Sequence, residues 1–275
     1  MISELRGLVV EHIAKIRAAK VLGVVTPEIV QSYVLLMNHT DGGLPIEFAD
    51  FHFVWLQLLC NEDIKKLLII APPGSAKTTI IMAYLGCRLG IHPDENYIIG
   101  SVTDDVAEKR SLSLRNTVDG GMWRTIFPDV AKNESMKWEQ KEWSIHSKGS
   151  SSNNLHPTLR AYGTGSSIIG SRADVLVGDD LLDSNNTHTQ SQREKFEYWM
   201  DTSFLSRRKA KTGRTILIGT SWSSSDYYAK IRKSYPDWVT CHVPMLGEKP
   251  FRVSLSYPDS WTGEVLGEGV GNVSN

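Results

Sequence analysis

Short apolar runs alternate with polar segments of helical length between residue 46 and about residue 245, and this alternation most constrains the fold. Each run has the length of a buried strand, whereas the segments between the runs have helical periodicity. We predict strands at 67–70, 97–101, 142–146, 158–162, 174–178, 215–219 and 238–243, and helices at 51–60, 78–89, 104–118, 190–204 and 225–234. Strands that alternate with helices form a mostly parallel sheet with helices on both faces. The pattern therefore predicts an α/β fold.

The two ends of the chain differ from this central part. Apolar residues recur at helical spacing before residue 40, and Thr26-Pro27 is typical of a helix start. After residue 247 the periodicity is lost. We therefore predict an N-terminal helical segment or lid at 1–45, the main domain at 46–247, and a linker or C-terminal tail at 248–275.

Composition excludes several classes of protein. The chain carries 30 Lys and Arg against 31 Asp and Glu, so it lacks the charge of a general nucleic-acid binder and any DNA contact would be local. Cys60, Cys87 and Cys241 are too far apart for a metal or redox motif. No apolar run reaches the roughly 18 residues that a membrane helix needs, and the N-terminus lacks a secretory pattern. We expect a soluble intracellular protein.

The stretch "KLLIIAPPGSAKTTII" joins a strand, a short loop, a Lys-Thr pair and a helix. This order suits phosphate binding, because the loop N–H groups and the positive end of the helix point to the same place. We expect Lys77 to reach the β- and γ-phosphates of a nucleotide and Thr78 to bind Mg²⁺ through its hydroxyl. The residues expected to contact the nucleotide phosphates are Pro73, Gly74, Ser75, Ala76, Lys77, Thr78 and Thr79.

This loop departs from the usual Walker A pattern, G-x-x-x-x-G-K-[ST], at both glycines. Ala71 and Ala76 stand in their places. Gly74 can adopt the backbone angles that the middle of the loop needs. We expect Ala76 to keep a negative φ while its N–H faces the phosphates. The alternative is an ordinary strand-to-helix turn with an incidental Lys-Thr pair.

A second apolar run, in "ADVLVGDDLLD", ends in two acids and has the pattern of a Walker B strand. We expect Asp179 to join the magnesium shell and Asp180 to polarise the attacking water. Asp183 is a nearby alternative for the second role. Adjacent acids at a strand end repel each other unless a cation lies there. The alternative is a solvated turn in which an aspartate caps the next segment.

Two further features lie near these acids in the sequence. The glycine-rich run "YGTGSSIIGSRADVL" contains Arg172, which could stabilise the charge of a transferring phosphoryl group or could be a surface residue. A third apolar run, in "GRTILIGTSW", ends in Thr220-Ser221. In a doubly wound sheet its end lies in the same crevice as the phosphate loop. Thr220 could sense the γ-phosphate, or it could merely cap the following helix.

Taken in order, these motifs resemble the ATPase domain of the large terminase subunits of tailed bacteriophages, the motors that package DNA into capsids. The resemblance covers about residues 50 to 247. It rests on "APPGSAKTT", "GTGSSIIGSRADVLVGDDLLD", "REKFEYWMDTSFLSRR", "ILIGTSW" with Asp226 shortly after, and "WRTIFPDV" followed by "MKWEQKEWSI". It implies a RecA-like P-loop NTPase fold of the additional-strand, catalytic-carboxylate class.

The resemblance also implies roles for particular residues. Thr220-Ser221 would be the motif that couples hydrolysis to movement. Arg172, with Arg207 as second choice, would act on the nucleotide of a neighbouring subunit. His52 or Gln57 would touch the adenine base, because "DFHFVWLQ" lies where the family keeps its adenine-contacting segment. The alternative for most of this stretch is a helix that faces the core.

The implied cofactors are ATP and Mg²⁺. The implied partners are double-stranded DNA, a portal protein and a small terminase subunit, with the chain in a homo-oligomeric ring on a procapsid in the host cytoplasm and absent from the mature virion. DNA would be held through phosphate contacts, for which "RRKAKTGR" at 207–214 is a candidate, although a solvated turn is the alternative.

The sequence departs from this family in two ways. Asp180 stands where many terminases have the longer glutamate, so the attacking water must lie closer to the strand or Asp183 must help. Family members usually continue into a ribonuclease H-like nuclease, whereas only 28 residues follow Gly247, so we expect no DNA cleavage by this chain. The rival interpretations are a P-loop kinase and a nucleotide-binding module that does not hydrolyse its ligand.

Overall fold

The computed structural model describes residues 2–37, 40–41, 44–148, 156–244, 253–257 and 270–272. Its α-helices are α1 (Ile2–Leu22), α2 (Pro27–Met37), α3 (Asp50–Cys60), α4 (Lys77–Ile91), α5 (Asp104–Asp119), α6 (Gly121–Ile126), α7 (Ser184–Thr187), α8 (Gln190–Trp199) and α9 (Tyr227–Ser234). A π-helical turn (Met200–Phe204) and a 3-10 turn (Leu205–Arg207) follow α8 without a break.

The strands of the described residues are β1 (Thr40–Asp41), β2 (Leu44–Pro45), β3 (Lys66–Ile70), β4 (Tyr97–Ser101), β5 (Val130–Lys132), β6 (Glu142–Trp143), β7 (Ile145–Ser147), β8 (Leu159–Gly163), β9 (Val175–Asp179), β10 (Arg214–Gly219), β11 (Val239–His242), β12 (Val253–Ser256) and β13 (Val270–Asn272). Nine of them form one sheet in the order β13-β12-β11-β3-β10-β9-β4-β8-β6. The neighbours from β11 to β8 are all parallel. The mostly parallel sheet is confirmed.

The central strands are buried on both faces, which explains why they are apolar without interruption. Along β3, Leu67 and Ile69 pack into one hydrophobic cluster, which contains residues of α1 to α4 and α6. Leu68 and Ile70 point the other way and pack with residues of α8, the π-helical turn and α9. The sheet therefore separates two layers of helices.

The order of the strands in the sheet determines where the predicted site lies. Although β10 is late in the sequence, it lies between β3 and β9 and is parallel to both. The loops that follow these three strands therefore leave the same edge of the sheet and are neighbours. A crevice at the carboxyl ends of parallel strands is where such folds bind ligands.

The N-terminal segment packs against the part of α4 that is distant from the phosphate loop. A Cβ on Gly86 would overlap the Tyr33 side chain of α2, and Gly23, just after α1, lies near His92, just after α4. The Arg17 side chain of α1 also donates to the Thr125 carbonyl, at 2.5 Å, near the end of α6. The N-terminal segment thus contacts the carboxyl-terminal part of α4. A function as a lid stays a prediction.

Three predicted elements differ from the structure. The strand predicted at 142–146 is two strands, because β6 pairs with β8 while β7 pairs with β5 in a different sheet. The helix predicted at 190–204 changes to π-helical geometry at Met200, and the Phe204 ring then packs against Gly100 of β4. Part of the predicted linker, β12, pairs antiparallel with β11.

No helix in the described ranges has the length and apolar character needed to span a membrane.

Candidate nucleotide and metal site

The loop between β3 and α4 is held by backbone and side-chain hydrogen bonds. The Ala71 N–H donates to the carbonyl of Gly219 at 3.0 Å, which ties the start of the loop to β10. The Ser75 hydroxyl donates to the Pro72 carbonyl at 2.8 Å and closes the turn. Gly74 has a φ of 77°, which glycine adopts readily, and no atom lies within 4 Å of the position that a Cβ would take. The loop is therefore ordered and open at Gly74.

Ala76 contradicts the expectation of a negative φ. It is the N-cap residue of α4 and has φ 54° and ψ 20°, in the left-handed region. The chain must turn sharply here so that α4 starts at Lys77. The left-handed conformation costs an L-residue about 1–2 kcal/mol. Because an alanine side chain has no acceptor, it leaves the first N–H groups of α4 available to an anion.

Lys77 extends from the start of α4 towards the acidic strand end. Its side chain is almost fully buried, at 8% exposure, and Nζ lies 3.3 Å from Oδ2 of Asp180. Lys77 and Asp180 are 103 positions apart in the chain, and they meet because β10 is the only strand between β3 and β9. The structure thus brings together the lysine and the acid predicted for the same reaction.

Thr78 and Asp179 form the second pair. The Thr78 hydroxyl lies 3.0 and 3.1 Å from the two carboxylate oxygens of Asp179. A threonine hydroxyl has one proton and two lone pairs, so donation to Asp179 leaves the lone pairs available for a cation. This is the arrangement that Mg²⁺ binding by Thr78 requires.

Asp179 is fully buried at the end of β9. The Ser101 hydroxyl of β4 donates to its backbone carbonyl at 2.7 Å and fixes the strand end. Burial raises the pKa of the Asp179 carboxyl, Arg110 and Thr78 lower it, and the neighbouring Asp180 raises it further. The net effect is a raised pKa, because the effect of burial is larger than that of Arg110 and Thr78. A cation beside Asp179 would stabilise the ionised carboxylate.

Asp180 is bonded to the third strand end. Its φ is 47°, and its Oδ1 accepts from the Thr220 N–H at 3.2 Å. The Thr220 hydroxyl donates to the Ala71 carbonyl, also at 3.2 Å. Thr220 therefore connects the predicted catalytic acid to the first residue of the phosphate loop.

Ser221 belongs to a separate small network. Its hydroxyl donates to Oδ2 of Asp226 at 2.9 Å, and the N–H groups of Trp222 and Ser223 donate to the same oxygen. The other oxygen of Asp226 accepts from the Ala229 N–H and caps α9. Asp226 is fully buried, so it fixes the loop after β10 to α9.

His52 contacts the phosphate loop. Its Nδ1 accepts from the Ala49 N–H at 3.0 Å, so the proton is on Nε2, which donates to the Ser75 carbonyl at 2.9 Å. Burial lowers the pKa of His52, which favours this neutral form. Both ring nitrogens are therefore committed to the protein, and His52 supports the loop. Gln57 lies farther along α3, and its contact with the base stays a prediction.

Three other residues predicted for the site do not take part in the Lys77–Asp180 and Thr78–Asp179 pairs. Asp183 accepts from the N–H groups of Asn185 and Asn186 and caps α7, so it does not share the role of Asp180 here. Arg172 lies before the amino end of β9, is exposed, and donates to the Ser206 carbonyl at 3.5 Å. Arg207 donates to the Ser203 carbonyl at 3.1 Å. Neither arginine is placed at the phosphate loop of its own chain.

The basic run at 207–214 is largely occupied within the protein. Arg214 is buried and donates to the carbonyls of Leu59 and Ile64. Lys209 pairs with Asp174 at 2.6 Å. The buried Arg214 fits neither a DNA contact nor a solvated turn. Residues 210–212 of the same run do form an exposed turn.

Arg110 is the site residue that the sequence analysis missed. It comes from α5, and its Nε lies 2.9 Å from Oδ2 of Asp179. A signal was present, because Ala107, Ser111 and Leu114 form the buried face of α5 and Arg110 lies on that face at helical spacing. A charged residue on a core-facing stripe indicates a buried partner.

The residues present fit a magnesium nucleotide. Elsewhere in the described ranges, no group of three or more His, Cys, Asp or Glu side chains could hold a metal ion. Mg²⁺ does not need such a group, since it is commonly bound by one or two protein ligands together with substrate phosphates and water. Thr78 and Asp179 would hold the ion, and Lys77 with the open start of α4 would hold the phosphates.

Comparison with known proteins gives a consistent result. No family model matches the chain. The large terminase subunit of Enterobacteria phage T3 is 23% identical over 175 residues, which cover 64% of this chain and 29% of that protein. The crystal structure of the HK97 bacteriophage large terminase superposes with a TM-score of 0.52 at 11% identity, over 81% of this chain and 45% of that chain. The ATPase domain of the Thermus phage P74-26 large terminase gives a TM-score of 0.51 at 12% identity, over 74% of this chain and 85% of that chain.

The chain thus spans less than half of the T3 protein and of the HK97 chain, but most of the P74-26 ATPase domain. The likeness to these solved structures supports the RecA-like α/β fold. In sequence and in fold, the chain resembles the ATPase domains of phage large terminase subunits.

Proposed function

We propose that this chain hydrolyses ATP with Mg²⁺ and that hydrolysis drives double-stranded viral DNA into a procapsid. The observation that carries the proposal is the pairing of Lys77 with Asp180 and of Thr78 with Asp179 at one edge of the sheet. These four residues come from two distant segments, and each supplies the group that phosphoryl transfer to water requires.

Lys77 changes partner when nucleotide binds. In the structure its ammonium group lies beside the Asp180 carboxylate, at 3.3 Å. The β- and γ-phosphates carry more negative charge, so they draw Lys77 away from Asp180. The released carboxylate can then accept a hydrogen bond from a water molecule and orient it for in-line attack. Bound Mg²⁺ would supply charge stabilisation at the β- and γ-phosphate oxygens.

Thr220 supports the coupling role implied by the resemblance. It bonds to Asp180 through its N–H and to Ala71 through its hydroxyl. A shift of Asp180 during hydrolysis would therefore pull on the start of the phosphate loop and on β10. Ser221 and Asp226 would pass this shift to α9, because their network joins the end of β10 to that helix.

The remaining partners follow from the relatives. The matched proteins are large terminase subunits. We propose the same setting here: a homo-oligomeric ring on a procapsid in the host cytoplasm, with a portal protein, a small terminase subunit and double-stranded DNA as partners.

The test replaces Lys77 by alanine and uses Lys65→Ala as the matched control, because Lys65 is exposed and immediately precedes β3, at the end away from the phosphate loop. Isothermal titration with magnesium ADP and phosphate release at high protein concentration are measured. We expect Lys77→Ala to weaken nucleotide binding at least about tenfold and to abolish phosphate release, since a charge-assisted contact to phosphate is lost. Lys65→Ala should behave as the unmodified chain does.

Two results would contradict the proposal. One is full phosphate release by Lys77→Ala under conditions in which the unmodified chain is active. The other is transfer of the γ-phosphoryl group to a small acceptor in preference to water, which would make the protein a kinase.

A further inference from the structure

Arg110 is the cation that contacts Asp179 in the described structure. Its Nε donates to the buried carboxylate at 2.9 Å, while about a third of its side chain remains exposed, at 34%. Thr78 contacts the same carboxylate from the side of the phosphate loop. The acid expected to serve the metal ion is thus already paired with a positive charge from a different helix.

This pairing has an electrostatic reason. A buried carboxylate is costly unless a cation accompanies it. Lys77 is near the second acid, Asp180, so Arg110 is left to neutralise Asp179. With two cations and two carboxylates, these four side chains are balanced in charge without a metal ion.

The same charge opposes metal binding. An ion held by the Thr78 hydroxyl and by Asp179 would lie a few ångströms from the Arg110 guanidinium, and like charges at that range repel strongly outside bulk water. This repulsion makes the two cations compete for the carboxylate. Arg110 can withdraw, because its side chain is long and partly exposed, whereas the Asp179 carboxylate is fixed in the core.

We propose that Arg110 is a positioning residue that holds Asp179 in place of the metal ion and competes with Mg²⁺ for that carboxylate. This inference rests on the proposed function, since it concerns the same magnesium nucleotide site. In the absence of the metal ion, Arg110 lies beside Asp179 as its counter-charge, and Thr78 bonds to the same carboxylate. When magnesium nucleotide enters, Arg110 leaves the carboxylate, so part of the binding free energy of the metal is spent on displacing it.

The test uses Arg110→Gln, with Lys109→Gln as the matched control. Both variants remove one positive charge from α5, but Lys109 is exposed and pairs with Asp105 one turn earlier. Affinity for ADP is measured by titration calorimetry with Mg²⁺ and, separately, with EDTA. We expect Arg110→Gln to bind magnesium ADP at least about fivefold more tightly, from the lost repulsion, with unchanged affinity for metal-free ADP. Lys109→Gln should change neither value.

Thermal unfolding provides a readout that does not depend on nucleotide affinity alone. In EDTA without nucleotide, Arg110→Gln should melt below the unmodified chain, because Asp179 has lost its counter-charge. With saturating magnesium ADP the difference should disappear, because the ion replaces the charge. Arg110→Lys, which keeps a cation, should lie between the two in both measurements and covers the case in which the glutamine variant does not fold.

The outcomes separate this inference from the proposed function. If the unmodified chain binds ADP in a manner that requires Mg²⁺ and Lys77, but Arg110→Gln binds magnesium ADP no more tightly, only the inference is wrong. If Arg110→Gln loses affinity for metal-free ADP, Arg110 binds phosphate instead, and the inference is equally wrong. If the unmodified chain does not bind ADP at all, the proposed function fails first.

Discussion

Ala76 is the residue at which the phosphate loop departs most clearly from a glycine-based pattern. The departure does not change the backbone path, because Ala76 adopts the left-handed conformation that glycine adopts easily. The loop therefore stores a small amount of backbone strain at the start of α4. The small alanine side chain leaves the start of α4 open.

Ala76→Gly should make the protein more stable, by about 0.5–1 kcal/mol. Relief of the left-handed strain contributes about 1–2 kcal/mol, and the larger backbone entropy of glycine in the unfolded chain offsets part of this gain. Denaturant unfolding measures the difference. The control is Ala18→Gly, an exposed position within α1, which should lose about 1 kcal/mol as usual in a helix. Equal losses in both variants would show that Ala76 is unstrained.

His52 and Arg110 illustrate how single residues support the site from outside it. His52 is among the rings of Phe51 and Trp55, which bury it, and it fixes the carbonyl before Ala76. Arg110 reaches Asp179 of the same site from α5. Neither has a spacing that marks it as part of a phosphate-binding motif, because each acts through one tertiary contact.

At the scale of elements, two glycines of α4 lie against aromatic side chains of α2 and of the segment after α6. Gly86 and Gly90 are four positions apart, so they lie on the same face of the helix. The Tyr33 side chain of α2 packs on the first, and the Phe127 ring, just after α6, packs on the second. The glycines allow an aromatic layer to approach the backbone of the helix whose other end follows the phosphate loop.

Gly90→Ala should therefore destabilise the protein by about 1–3 kcal/mol, even though alanine is the better helix former. The added Cβ would overlap the Phe127 ring, which is fully buried and cannot move away without displacing its neighbours. Thermal or denaturant unfolding measures the loss. Gly7→Ala in α1 is the matched control, because no atom lies within 4 Å of its added Cβ. That variant should gain up to about 1 kcal/mol, and a gain at both positions would refute the packing argument.

The predictions were most accurate for strands that are buried along their whole length within one sheet. β3, β4, β9 and β10 lie within one residue of their predicted bounds, because buried parallel strands are continuous apolar runs. The strand predicted at 142–146 failed because Ser144 divides it between two sheets. Pairing with β5 on one side and β8 on the other is a long-range event, and residue preferences carry no information about it.

At the scale of the whole molecule, Arg172 raises the question of assembly. It lies before the amino end of β9, whereas the phosphate loop follows the carboxyl ends of the strands. A role at the γ-phosphate is therefore possible only at the site of another subunit. This geometry is compatible with the ring that we propose, in which each nucleotide would lie between two copies of the chain.

A mixing experiment tests this role of Arg172. Arg172→Ala should bind magnesium ADP normally but lose phosphate release in the assembled state, on the order of 10³-fold, as expected for an arginine that acts in trans. Mixing it with Lys77→Ala should restore part of the activity, because each chain supplies what the other lacks. Arg207→Ala is the control and should retain activity. No recovery on mixing, or loss of activity in Arg207→Ala alone, would contradict the assignment to Arg172.

The sequence by itself determined which segments carry the chemistry. A strand, a loop, Lys77-Thr78 and a helix are contiguous, as are β9 and its two acids, so local spacing is enough to identify them. Only the tertiary structure decided how these segments meet. The insertion of β10 between β3 and β9 placed Thr220 on both Asp180 and Ala71, and the packing of α5 placed Arg110 on Asp179. The physical reason is that strand order and helix packing depend on contacts between residues far apart in the chain, which local patterns do not encode.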